Sequence, residues 1–322
     1  MLKNKSIWAV SVLTSALVLS ACQPKSDQKE QQKVDGTSAS EATQPSLTLE
    51  GTMQSVPFTM PSCEGKQCPE FSIDRLQTNQ FVLDSIVDQA IRDQLQKILE
   101  LSDPEAKQAR EQIDQASASE ANFNRSAAQL LGQQVQPYVD KFIDLDKELK
   151  SLGASSQISL SISPKILNSQ EPVATVVLNS SSYMGGAHGS SAQTYYNFDL
   201  KNQKQISLDQ IIEPNQKQKL YDLAHQEFKT WVIDSKLAEN VDEYEQAWKF
   251  FLSTNYYLGK KGLILQYAEY EIGPFVVGLP RLTIPYEQLK GIIKTEYLPA
   301  EIQAVISESK VTEAAPVAKP KA

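Results

Sequence analysis

Apolar residues recur along this chain at two different spacings, and the change between them divides it. Val82, Ile86, Ala90, Ile91, Leu95, Ile98 and Leu99 fall three or four positions apart, the spacing of one helix face, with Thr78 or Asn79 as the cap. Asp103-Pro104 reads as a cap followed by proline at the first helical position and opens a more polar helical segment over 103–116. A third helix starts at Ser119 with Phe123, Ala127, Leu130 and Leu131. Pro137 breaks or kinks it, and Tyr138, Phe142, Leu145 and Leu149 carry the stripe on to Gly153.

From Ser156 the period becomes two. Ile158, Leu160 and Ile162 alternate with serines, and 173–178 is β-branched and apolar, so the two runs pair antiparallel through Asn168-Ser169-Gln170. Strands follow at 194–200 and 205–208, then a helix from Pro214 and a shorter one around 244–251. A strand carrying Leu263, Leu265 and Tyr267, a short one at 281–284 and a helical turn at 286–292 complete the series. Strands and helices that come in groups predict the α+β class, with an antiparallel sheet, packed helices and a helical insertion.

The start of the chain reads as an address. Lys3 and Lys5 precede an apolar run over 7–19 that is too short to span a bilayer, so residues 1–21 read as a signal peptide. Leu19-Ser20-Ala21-Cys22 resembles the bacterial lipobox, which makes Cys22 the lipidated residue and the membrane a partner through that anchor. Gln23 stands where an aspartate would retain such a lipoprotein in the inner membrane, which favours the outer membrane, facing the periplasm. Residues 22–46, nearly free of apolar side chains, read as a disordered tether, and 301–322 as a disordered tail.

Composition adds limits. With 41% hydrophobic and 22% charged residues among 322, the chain has enough apolar surface for a core. A formal charge of −8 excludes nucleic acid as a partner, because no basic stripe is available to displace phosphate counterions. Loss of residues 1–21 removes Lys3 and Lys5 and no acid, taking the charge to −10. Two histidines and three cysteines call for neither metal nor cofactor. Cys63 and Cys68 enclose a tight Glu64-Gly65-Lys66-Gln67 turn and in an exported chain form a disulfide.

One segment stands apart. Residues 180–191 place Gly185, Gly186 and Gly189 in a serine-rich stretch that reads as a long loop, built for positive φ or for close approach to a ligand. Its spacing fits no phosphate cradle. His188 reads as a ligand, an acid–base group or a loop histidine donating to a backbone carbonyl, and the sequence leaves these open. His225 reads as a partly buried helix residue.

Tyr183-Met184-Gly185-Gly186-Ala187-His188-Gly189, then 195–200, then Ile206-Ser207-Leu208-Asp209, then 267–275 with Gly278 and 283–289, follow one another in the order of a known pattern. In these pieces the chain resembles the extracytoplasmic domain family shared by the lysozyme-sensing anti-sigma factor RsiV and the non-catalytic region of the peptidoglycan deacetylase PdaC. The resemblance implies two halves forming one compact unit and sharing a sheet, with a PdaC-like half and its helical insertion at 47–190 and an RsiV-like half at 191–300. It departs from the family in the turn after Asp199-Leu200, where Asn202-Gln203 replaces the usual Thr-Gly and implies another turn type. The sigma-binding segment and the close histidine pair of the deacetylase metal site have no counterpart in this pattern.

What the resemblance implies is therefore a non-catalytic binding or sensing domain for lysozyme-like muramidases or for peptidoglycan, with a contact surface at Tyr183, Gly185, Gly186, His188, Gly189, Tyr270, Pro274 and Phe275. An acidic surface speeds encounter with a cationic muramidase. Two other classes stay open. One is a peptidoglycan-modifying enzyme using a carboxylate pair from Asp199, Asp209, Glu269 and Glu271; the other is a structural lipoprotein that organises the envelope through its tail.

Overall fold

Residues 47–100 and 126–313 are described in this computed structural model, with side chains as far as Ile306. The signal peptide, Cys22, the tether, the helix at 103–116 and the start of the next at Ser119 lie outside the described residues, as does the tail beyond 313.

Two strands from before the helices join those of the period-two region in a six-stranded sheet in chain order: β1 (Gly51–Ser55), β2 (Glu70–Thr78), β3 (Ser159–Asn168), β4 (Val173–Tyr183), β5 (Ser190–Asp199) and β6 (Lys204–Gln205). The α+β class is as expected, but one ladder is not antiparallel: β2 runs parallel to β3, from Glu70↔Ser159 to Ile73↔Ile162. The helices α1 (Phe81–Ile98) and α2 (Ala127–Ser151) stand between these two strands in the chain. A helical crossover of that length returns the chain to the same end of the sheet, which forces the parallel register.

The two helices cover the sheet with Leu83, Val87, Ala90, Ile91 and Leu95 from α1 and Leu131, Val135, Val139 and Phe142 from α2. At the start of α1 the buried stripe is rotated from the expected one: Val82 is exposed, while Leu83 and Val87 face the core. Neither Thr78 nor Asn79 is the cap. Gln80 takes that position, and the buried Asp84 carboxylate accepts the Thr78 backbone N–H (3.0 Å) and hydroxyl (2.6 Å), tying β2 to the helix. Ser126 and Gln129 form a reciprocal capping box on α2, and Pro137 lies inside that helix without ending it. Gly132 of α2 rests on the backbone of Pro57, where a Cβ would come within 2.0 Å of the Pro57 carbonyl oxygen.

The remaining elements build a second core. They are α3 (Leu208–Ile211), α4 (Lys217–Asp234), α5 (Val241–Ala247), and an antiparallel sheet of β7 (Tyr256–Leu258), β8 (Gly262–Gln266) and β9 (Arg281–Pro285). With halves at 47–190 and 191–300, the six-stranded sheet takes β1 to β4 from the first and nearly all of β5 and β6 from the second, and the second half adds a three-stranded sheet of its own. The division expected between 190 and 191 falls at the start of β5, which belongs to the first sheet. A last helix, α6 (Ala300–Glu313), occupies the first part of the expected tail. Ile302 and Ile306, one turn apart, pack against the second core, and that contact is what a disordered segment lacks.

Side chains join the two sheets along β5. Asn197, buried, donates from Nδ2 to the Tyr256 carbonyl (2.7 Å) and accepts from the Thr175 hydroxyl (2.9 Å). Asn255 accepts from the Tyr195 N–H (2.8 Å) and donates to the Gln193 carbonyl (2.7 Å), copying a strand partner. The Ser191 N–H goes to Glu269, and the Asn197 carbonyl accepts from the Ile206 N–H.

Candidate functional site

The strands β4 and β5 extend further than their sequence indicated, so the expected long loop over 180–191 shrinks to the hairpin tip 184–189. Ser180, Ser181 and Ser182 pair in the ladder with Ala192, Ser191 and Ser190. At the tip, Gly185 and Gly186 hold φ values of 85° and 97°, and the Tyr183 hydroxyl closes the turn by donating to the Gly186 carbonyl at 3.0 Å.

The 267–278 segment comes up beside this tip. Tyr267 is fully buried and its hydroxyl donates to the Phe251 carbonyl at 2.9 Å, fixing the base of the segment. Glu271 accepts the Ala268 N–H at 2.7 Å. Tyr270 then holds φ 65°, a conformation that costs a non-glycine residue about 1–3 kcal/mol and turns its ring, 51% exposed, outward. Pro274 leads into a single 3₁₀ turn, Phe275–Val277, whose Val276 is 85% exposed. Glu269 locks the two segments together, its carboxylate accepting the Ser190 hydroxyl at 2.9 Å and the Ser191 N–H at 3.0 Å.

The two predicted contact segments therefore meet. The exposed His188 ring stacks on Phe275 with centroids 3.7 Å apart, and its Nε2 lies 3.1 Å from the Tyr270 hydroxyl. Its Nδ1 is 2.9 Å from the Gly189 carbonyl, which can only accept, so Nδ1 is the donor of that bond. The carbonyl contact named among the three readings of His188 is present. Pro274 stands half-buried at the head of the Phe275 turn, and Gly185 faces Leu149 of α2.

A cleft of about 630 Å³ opens beside this cluster. Its walls are the hairpin tip with Glu269 and Tyr270 on one side and the last turn of α1 with Leu145 of α2 on the other. Lys97 comes from that last turn and Glu100 from the turn just beyond the helix, and neither was foreseen. Only the crossover brings α1 to the hairpin, and no local pattern signals it.

The other nominated groups are engaged locally. Asp199 accepts the Asn202 N–H (2.9 Å) and amide (2.7 Å), and Asp209 pairs with Lys217 at 2.8 Å. With the bonds of Glu269 across to β5 and of Glu271 within its own turn, each candidate acid–base carboxylate has a partner in the chain. Gln203, in the place of the family's glycine, holds φ 50°, so that turn keeps the conformation glycine adopts freely. His225 of α4 reaches Glu245 of α5 at 2.9 Å and stacks on Phe250. Cys63 and Cys68 are joined in the loop before β2. Among the described residues no group of three His, Cys, Asp or Glu side chains is placed to hold a metal ion.

Residues 209–287, which run from α3 to the end of β9 and include the Tyr270–Phe275 arm of the site, match a family model described as "Protein of unknown function (DUF3298)". Over these residues the chain is similar to the DUF3298 family. Among curated proteins, it is 23% identical over 171 residues to the peptidoglycan-N-acetylmuramic acid deacetylase PdaC of Bacillus subtilis (strain 168), a match over 51% of this chain and 35% of that protein. The chain thus spans about a third of that relative's length. A crystal structure of a DUF3298 family protein from Pseudomonas aeruginosa PAO1 superposes with a TM-score of 0.52 at 24% identity, covering 80% of this chain and 98% of that one. A second, from Bacteroides fragilis NCTC 9343, gives 0.50 at 19% identity, covering 77% and 94%. These likenesses establish that the DUF3298 fold extends through both halves of the chain.

Proposed function

We propose that this protein is a cell-envelope lipoprotein, held by a lipid on Cys22 at the periplasmic face of the outer membrane, whose folded domain binds peptidoglycan without transforming it. The observation that carries the reading is the convergence of the two signature segments on one exposed surface, where His188, Tyr270 and Phe275 form an aromatic cluster at the mouth of a cleft. The likeness to a peptidoglycan deacetylase supports an envelope ligand. The local engagement of Asp199, Asp209, Glu269 and Glu271 favours binding over glycosidic chemistry, which needs carboxylates free to exchange protons with substrate.

The test is co-sedimentation of the intact chain with purified sacculi. Retention that falls when Tyr270 is changed to alanine supports the reading, and absence of retention at low salt overturns it. Release of muropeptides or acetate during the incubation would move the protein to the enzyme class. A second reading, a lysozyme-like muramidase as the ligand, is favoured by the net charge of −8, which attracts a cationic protein. Capture on immobilised lysozyme at low salt, reversed by added salt, separates it from the first.

A further inference from the structure

The cleft holds chemistry that its internal bonds leave unused. His188 and Tyr270, whose polar atoms are bonded to each other and to Gly189, line it with exposed aromatic faces, and Ser182 and Ser191 add hydroxyls beside that of Ser190, which is given to Glu269. Among the described residues, Glu100 and Glu269 place two carboxylates on the lining against one cation, Lys97, so their fixed charge is negative. Glu269 spends two of its acceptor positions on Ser190 and Ser191 and keeps the others, while Glu100 and Lys97 have no ion pair among the described residues.

Hydroxyl-rich walls beside exposed aromatic faces suit a sugar, and the volume of about 630 Å³ is that of a small-ligand site. The charge then decides which sugar. A carboxylate-bearing residue is repelled by the Glu100 and Glu269 side chains, and a neutral acetamido group can give them an N–H hydrogen bond but no attraction between full charges. A protonated amine is attracted by the carboxylates and by the ring faces together.

Resting on the peptidoglycan reading above, we propose that this cleft is an amino-sugar subsite that selects glycan in which a sugar carries a free amine over fully N-acetylated glycan. The attraction is electrostatic and desolvation at the cleft mouth is modest, so the preference is greatest at low salt.

Calorimetric titration of the intact chain with glucosamine oligomers, N-acetylglucosamine oligomers and a lysine-containing stem peptide tests this. The glucosamine oligomer is expected to bind at least about tenfold tighter than the acetylated one. Glu100→Gln, at an exposed residue, is expected to cut that preference about threefold without affecting folding, and Tyr270→Ala to weaken both sugars. Equal affinity for the two oligomers, or binding of the stem peptide alone, overturns the proposal. Retention on sacculi with no binding of either oligomer overturns it too and leaves the peptidoglycan reading standing; failure on sacculi as well removes that reading itself.

Discussion

Replacing Asn197 by leucine removes the side chain that joins the two sheets at the centre of β5, and the structure sets the size of the effect. Asn197 and Thr175 are each 1% exposed. The substitution leaves the Tyr256 carbonyl and the Thr175 hydroxyl buried without the partners they have at 2.7 and 2.9 Å. Each unsatisfied buried group costs about 1–3 kcal/mol, so the variant is expected to lose about 2–6 kcal/mol. For a domain of this size that lowers Tm by about 5–15 °C. Thermal and urea unfolding followed by circular dichroism measure it. Thr175→Val in the same background removes the orphaned hydroxyl, so the double variant should recover about 1 kcal/mol or more relative to Asn197→Leu alone. A loss below about 0.5 kcal/mol, or strict additivity of the two changes, refutes the argument that Asn197 is a buried connector.

Three further changes test other parts of the description. Gly132→Ala forces a Cβ to within 2.0 Å of the Pro57 carbonyl oxygen and is expected to destabilise by about 1–3 kcal/mol, read as a lower urea midpoint. Gln203→Gly relieves a residue at φ 50° and is expected to raise stability by about 0.5–1 kcal/mol; an unchanged or lower midpoint contradicts the strained turn. Burial raises the pKa of the Tyr256, Tyr267 and Tyr286 hydroxyls above the ordinary tyrosine value and pushes Tyr196 up to about 12. The stability these raised values represent is fully present below the unfolded pKa of about 10 and is lost as pH rises above it, by up to about 1.4 kcal/mol per pH unit for each buried tyrosine. A urea midpoint that holds steady from about pH 9 to about pH 11 sinks that expectation.

The fold was legible wherever burial follows a simple period. The helices α1 and α2, the β3–β4 pair and β8 and β9 announce themselves through apolar spacing. The strand β2 does not, because Arg75 stands where the alternation Phe71, Ile73 calls for a third apolar residue. It is buried there because the Asp88 carboxylate accepts from its guanidinium at 3.2 and 2.9 Å, a pairing across two elements that no local window contains. Desolvation raises the pKa of Asp88, and the paired guanidinium pulls the other way. The strand β1 is short and exposed along its length, so it has no apolar pattern to show. The two arms of the candidate site were visible as segments of unusual composition, and their meeting depends on Glu269 and the β5 register. Lys97 and Glu100 look in sequence like the ordinary solvated end of a helix.

The outer rim of β5 has a consequence for any attempt to divide the chain. Alternate residues Ser191, Gln193, Tyr195 and Asn197 have their free backbone groups taken up by Glu269, by Asn255 and by Ile206, all supplied from later in the sequence. A fragment ending before Asn255 would fold its six strands with that rim open, and an open rim recruits a second copy of the same strand. The later residues act as a built-in chaperone for the earlier sheet, so the halves are two stages of one folding event and not parts that can be exchanged between proteins.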